Sequence, residues 1–281
     1  MRSSEVADVS PVLVIDAGKS PLGNQLRDLW AYRELPYFLA WRDFKVRYKQ
    51  TVLGAAWAII QPLFTMVAFS IFFGYLGKIP SDGVPYPVFA YCALLPWSLF
   101  AHALNESSNS LVSNQGLITK VYFPRLIIPI APLFVGLVDF GIAFVVLLGL
   151  MLFYGILPGF PLIAAPLFVL MAVVTALAVG MWLSALNLQY RDVRYTLPFL
   201  TQLWLFATPV AYPSSLLPEP WRSLYGLNPM AGVVEGFRWA LLGRTTAPGP
   251  LIAVSCLAVI ALLIGGLWYF NRMEQTFADV V

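Results

Sequence analysis

Charge is missing from this chain in long blocks: residues 50–77, 83–105, 140–190, 195–218 and 245–271 contain no Asp, Glu, Lys or Arg. A helix crosses a bilayer with about 20 apolar residues, and a backbone in lipid must satisfy its own hydrogen bonds, which favours helices. The 140–190 block is long enough for two and is broken by Gly155-Ile-Leu-Pro158-Gly-Phe-Pro161, where one helix ends and another starts. With residues 126–138 added ahead of it, the pattern predicts an all-α integral membrane protein. Six transmembrane helices are expected, at 52–76, 86–109, 126–154, 162–186, 195–212 and 249–271.

Composition excludes most alternatives. The 281 residues are 59% hydrophobic and 11% charged, against about 25% charged in soluble domains, so too little polar surface exists to cover a water-soluble globule. A net charge of +3 gives no basic patch for nucleic acid. Cys92 and Cys256 lie in apolar runs and His102 is the single histidine, so neither a disulfide framework nor a His/Cys metal site is expected.

Basic residues fix the expected orientation, because cytoplasmic loops retain them. With both termini inside, the inner segments hold thirteen: Arg2, Lys19, Arg27, Arg33, Arg42, Lys45, Arg47, Lys49, Lys120, Arg125, Arg191, Arg194 and Arg272. The outer segments hold four, Lys78, Arg222, Arg238 and Arg244. The topology is therefore N-in/C-in, and the first 20 residues lack the apolar core of a cleaved signal. The expected organisation is a cytoplasmic segment at 1–35, an amphipathic helix at 36–49, a six-span domain at 50–272 and a cytoplasmic tail at 273–281.

Three segments outside the spans stand out. After Pro36, Tyr37, Trp41, Phe44 and Tyr48 share one helical face and Arg42, Lys45 and Lys49 another. That is the pattern of a helix lying in the anionic headgroup layer, or else of one packed on the protein itself. The loop at 113–125 would form a short cytoplasmic helix stopped by Pro124 and presenting Leu117, Ile118, Val121 and Tyr122; a plain basic connector is the alternative. Residues 213–247 are too apolar for a solvated loop and are punctuated by Pro218, Pro220 and Pro229. They read as short helices re-entering the outer leaflet as a gate, or as a peripheral cap.

Chemical motifs are sparse. Gly18-Lys19-Ser20 looks like the tail of a phosphate loop, but Leu13 stands where the required glycine would be, so no nucleotide site is expected in this chain. Asp139 is midway along the third expected span, where a charge costs about 2.5–3.5 kcal/mol. It serves either function or helix packing. His102 and Glu106, four residues apart, are a weak candidate for proton transfer. Trp57, Gln61, Phe64, Ala68, Phe72 and Tyr75 line one face of the first span, and Phe199, Gln202 and Phe206 one face of the fifth. Rings interleaved with amides suit sugars, and they suit ordinary packing as well.

Several of these stretches resemble a known family. Arg42-Asp-Phe-Lys-Val-Arg-Tyr-Lys-Gln-Thr-Val-Leu-Gly54 with Trp57 and Gln61-Pro62 is similar to the start of the first span in membrane subunits of type-2 ABC exporters for bacterial polysaccharides. Leu117-Ile-Thr-Lys-Val-Tyr-Phe-Pro-Arg125, Leu186-Asn-Leu-Gln-Tyr-Arg-Asp-Val193, Pro209-Val-Ala-Tyr-Pro213, Asn228-Pro229 and Gly236-Phe-Arg238 follow in the family's order. The resemblance implies a half-transporter: two copies enclose a path, and two copies of a separate ATPase subunit, holding ATP and Mg, bind below. It implies a coupling loop of Asn114, Gln115, Leu117, Ile118, Lys120, Val121 and Tyr122, and a path lined by Trp57, Gln61, Phe64, Phe72, Tyr75, Phe199, Gln202 and Phe206. It further implies an outer gate with Pro209, Tyr212, Pro213, Trp221, Asn228, Pro229, Glu235 and Arg238. The substrate implied is a glycan on a polyprenyl diphosphate, such as O antigen, or on a related lipid carrier. Arg42, Lys45, Arg47 and Lys49 are expected to attract its diphosphate at the inner surface. The competing readings are a lipid or drug permease of the same fold and a membrane-embedded lipid-glycan enzyme.

Overall fold

The computed structural model describes residues 27, 29–49, 56–219, 221–243, 249–274 and 277. Gly18-Lys19-Ser20, residues 50–55, Pro220, Arg244 and Pro248 lie outside the described residues. Among those described, the regular structure is helical: α1 (Glu34–Lys49), α2 (Ala56–Phe69), α3 (Tyr86–Ser113), α4 (Gln115–Ile118), α5 (Ile127–Phe153), α6 (Ala165–Gln189), α7 (Val193–Phe206), α8 (Trp221–Leu224), α9 (Pro229–Leu242) and α10 (Gly249–Glu274). α2 continues as a π-helix over Ser70–Leu76, and α6 is preceded by a 3₁₀ turn at Phe160–Ala164.

Among the described residues five helices are long and apolar enough to cross a membrane: Ala56–Leu76, Tyr86–Ser113, Ile127–Phe153, Phe160–Gln189 and Gly249–Glu274. The remaining stretch expected to span, 195–212, forms α7 of 14 residues followed by turns at 207–212. At 1.5 Å per residue that helix is about 21 Å long, short of the roughly 30 Å of hydrocarbon. The turns that follow it contain Pro209, which has no N–H with which to resume the helical ladder.

The spanning helices are buried unequally. In α3, 78% of the apolar window is buried, against 17% in α2 with its extension and 22% in α10. α3 is therefore the central helix, packed on α5 and α6, while α2 and α10 present apolar faces outward. Small residues permit the close approach that helix association in lipid relies on. A methyl group added at Gly180 of α6 would meet Ser107 of α3, and one added at Gly236 of α9 would collide with the ring of Phe168 in α6.

Two apolar clusters hold the bundle. The larger joins α2, α3, α5, α6, α7, α9 and α10. The smaller gathers Leu39 of α1, Leu111 of α3, Ile118 of α4, Phe123, Ile127 of α5, Met181 of α6, and Phe270 of α10 with Phe277. Arg125 closes the same end, donating from its Nη1 to the Glu274 carbonyl at 2.5 Å.

α9 shows how local sequence sets an element. Asn228 caps it by accepting from the Met230 N–H at 3.1 Å, Pro229 occupies its first turn, and Gly243 ends it at φ 59°. Nearly all of its 14 residues are buried, yet it is too short to span.

Candidate functional site

The charge at mid-span has partners. Asp139 accepts from Arg47 Nη2 at 2.9 Å and from the Tyr48 hydroxyl, while Arg47 Nη1 lies 2.7 Å from His102 Nε2. His102 lies eleven residues before Ser113 and Asp139 twelve after Ile127, about 17 Å along each helix from the loop that joins them. The end of α1 thus reaches the interior of the bundle and is fastened there by charge. Burial, reinforced by the bond to Asp139, pushes the Tyr48 phenol above its usual range, so it stays a donor. His102 is engaged with Arg47, whereas the sequence had set it beside Glu106.

α1 meets its surroundings on two sides. Leu39 and Ala40 are buried and Asp43, Phe44, Arg47 and Tyr48 half-buried, whereas Tyr37, Phe38 and Trp41 are exposed. Trp41 stacks on Phe44, which packs on Tyr48, so the aromatic row expected from spacing exists but turns inward toward its end. Of the four basic residues grouped on this helix, Arg42 pairs with Asp43 at 2.7 Å, Lys45 lies over Trp41, Lys49 is exposed and Arg47 points inward to Asp139.

Above α1 two adjoining cavities, of about 380 and about 510 Å³, share Arg47, Trp57, Gln61 and His102 in their walls. The smaller reaches Leu205 of α7, and the larger extends to Asp43 and Glu106. Trp57 and Gln61 of the first aromatic stripe therefore border a cleft. Phe64, Phe72 and Tyr75 lie on the exposed side of α2 and its π extension, and Phe199, Gln202 and Phe206 on the exposed side of α7.

The segment from 207 to 242 is organised by hydrogen bonds to the unwound end of α7. Helix ends leave carbonyls without partners, and four donors supply them here. The Tyr212 hydroxyl donates to the Phe206 carbonyl at 3.0 Å. Tyr225 and Asn228 donate to that of Ala207 at 2.8 and 2.9 Å, and Trp204 donates to Asn228 Oδ1 at 2.9 Å. Arg238, 2% exposed, donates to the Pro209 and Val210 carbonyls at 2.6 Å each, pairs with Glu235 at 3.2 Å and lies 3.6 Å from the Phe89 ring centroid. Glu235 in turn accepts from the Ser214 N–H at 3.0 Å. Pro209, Pro213 and Pro229 are buried in this assembly, and Trp221 is exposed at its rim.

In the 113–125 loop the helix is a single turn, α4, begun at Asn114 and Gln115. Ile118 is buried with Phe123 in the smaller core cluster, and Leu117 packs against it. Val121 and Tyr122 are exposed, as is Lys120. Two of the four apolar residues expected to be presented are thus anchors, because a one-turn helix without core contacts would not hold.

Sequence reading missed the partner of Asp139 and the parts played by Tyr48, Trp204 and Tyr225. No local spacing pairs residues so far apart. The tyrosines carried a signal, since Tyr and Trp hydroxyl and indole groups find partners when buried. No group of three His, Cys, Asp or Glu fit to hold a metal occurs among the described residues.

Residues 36–242 match the family described as ABC-2 type transporter, covering α1 through α9. The chain is 30% identical over 261 residues to the O-antigen export system permease protein RfbA of Myxococcus xanthus, covering 91% of this chain and 98% of that one. It is also 30% identical over 243 residues to the RfbA protein of the same description from Klebsiella pneumoniae, covering 85% and 92%. With the polysialic acid transport protein KpsM of Escherichia coli it shares 24% identity over 239 residues, covering 83% and 91%.

Proposed function

The chain belongs to the ABC-2 type transporter membrane family, and on that premise we propose that it is the channel-forming permease of an ATP-driven exporter carrying a lipid-linked, O-antigen-like polysaccharide outward. It is a multi-pass protein of the inner membrane and a transport component, not an enzyme; ATP hydrolysis falls to a separate subunit, as is the rule in this family. The observation that carries the substrate class is the near end-to-end similarity to two O-antigen permeases.

In this reading two copies form the path and two ATPase subunits, with their ATP and Mg, dock below. Both termini are cytoplasmic, and α7 with the turns after it makes a sixth, broken crossing. α9 re-enters from outside. The ATPase pushes on Val121 and Tyr122, which are exposed, and Ile118 and Phe123 pass the displacement into the core shared with Leu39 of α1. The stripes of α2 and α7 line the path, where many weak ring contacts let a polymer slide and release. The outer gate is the segment tied down by Tyr212, Tyr225, Asn228 and Arg238. Lys45, Lys49 and Arg42 attract the carrier's diphosphate at the inner surface, while Arg47 fixes α1 to the bundle.

Depletion of the chain from producing cells is expected to abolish surface glycan and to leave lipid-linked glycan accumulating on the cytoplasmic side. Undiminished surface glycan would contradict the proposal, and loss of a lipid or drug export phenotype in its place would favour a permease of another substrate class.

A further inference from the structure

The cleft between α1, α2, α3 and α5 has a chemistry of its own. Its two chambers fall within the roughly 300–1,000 Å³ of small-molecule sites, so it holds a short piece of a substrate and not a polymer. Its walls carry three carboxyl groups, Asp43, Glu106 and Asp139, and among the described residues lining it one guanidinium, Arg47. That guanidinium is engaged by Asp139 at 2.9 Å and faces His102 at 2.7 Å.

A diphosphate requires surplus donors and positive charge, and the guanidinium that lines this cleft is already engaged by Asp139. A sugar ring has the opposite needs. Its hydroxyls donate to carboxylate and amide oxygens and accept from amide nitrogen, and its C–H face lies on flat apolar surface. Trp57 offers such a surface in both chambers, and Gln61 stands one helical turn above it.

We propose that this cleft is a glycosyl subsite that takes one or two uncharged sugar rings of the substrate, with Trp57 as the stacking platform and Gln61 with the carboxyl groups reading the hydroxyls. The carrier's diphosphate binds outside it, at the exposed basic side of α1. The inference rests on the exporter reading above and adds to it a place where the permease distinguishes one glycan from another.

The test uses the permease assembled with its ATPase in lipid nanodiscs, probed by saturation-transfer NMR. The probes are a di- or trisaccharide fragment of the host's own glycan and inorganic pyrophosphate. The fragment is expected to receive saturation and Trp57→Ala to weaken its binding about two- to tenfold, the worth of one aromatic contact. Trp57→Phe is expected to retain most of it, Gln61→Ala to lower it, and Trp268→Ala on α10 to leave it unchanged. Pyrophosphate at the same concentration is expected not to displace the fragment. Equal binding by wild type and both Trp57→Ala and Gln61→Ala, or displacement by pyrophosphate, would overturn the subsite while leaving the exporter reading intact. Failure of the permease to assemble with any ATPase would overturn both.

Discussion

Arg47, on the short helix ahead of the first span, and Asp139, midway along α5, form an ion pair at 2.9 Å that places a charged tie in the interior of the bundle. An unpaired carboxylate at that depth is costly, and Tyr48 with His102 completes the arrangement. Arg47→Gln and Asp139→Asn are each expected to lower the unfolding temperature of the purified permease. The double substitution should cost less than the two together, with a coupling of about 0.5–3 kcal/mol, as for residues in one network. Strictly additive losses would mean that the tie does not act.

At the other end of the molecule, Glu235 and Arg238 are both buried and face one another at 3.2 Å. Glu235→Gln leaves a guanidinium in the interior without its counter-charge, a loss of about 3–5 kcal/mol by analogy with other broken buried pairs. Arg238→Lys keeps the charge but loses the fork that reaches the Pro209 and Val210 carbonyls together. Both are expected to reduce the yield of monodisperse protein on size exclusion. Wild-type behaviour of Glu235→Gln would show that the pair contributes nothing.

Close packing of α9 on α6 gives a steric prediction. Gly236→Ala drives a methyl group into the Phe168 ring, an overpacking expected to cost about 1–3 kcal/mol, whereas Gly149→Ala on α5 enters open space and is expected to be close to neutral. Phe168→Leu introduced beside Gly236→Ala should recover part of the loss. Thermal unfolding of the four proteins decides it, and equal stability of the two alanine variants would contradict this packing.

Tyr122 and Ile118 lie four residues apart with opposite surroundings, 68% and 6% exposed. In a Cys256→Ser background, since Cys256 is exposed and Cys92 buried, Tyr122→Cys is expected to react with maleimide in the isolated permease and to be protected once the ATPase binds. Ile118→Cys is expected to react in neither state. Labelling at Tyr122→Cys that is unaltered by the ATPase would remove the docking surface from this loop.

What was readable in the sequence follows from the range of each interaction. Hydrophobic blocks and turn-forming residues act locally, so the long helices and the break at 155–161 were legible from residue order alone. The end of α7 was not, because a proline does not by itself mark a stop here: Pro62, Pro96, Pro132 and Pro198 sit inside helices, whereas the turns around Pro209 are held by Tyr225, Asn228 and Arg238 from a distance. For the same reason Arg47 read as one of four surface cations. Only the fold brings it to Asp139, and only burial distinguishes Ile118 from Tyr122.

The most direct test of the central claim is ATP hydrolysis by the permease purified with its ATPase in nanodiscs, measured with and without the cognate lipid-linked glycan. Stable two-plus-two assembly and a hydrolysis rate that rises with the glycan are the expected result. A folded permease that binds no ATPase, or a complex whose hydrolysis ignores the glycan and responds instead to a lipid or drug, would contradict it.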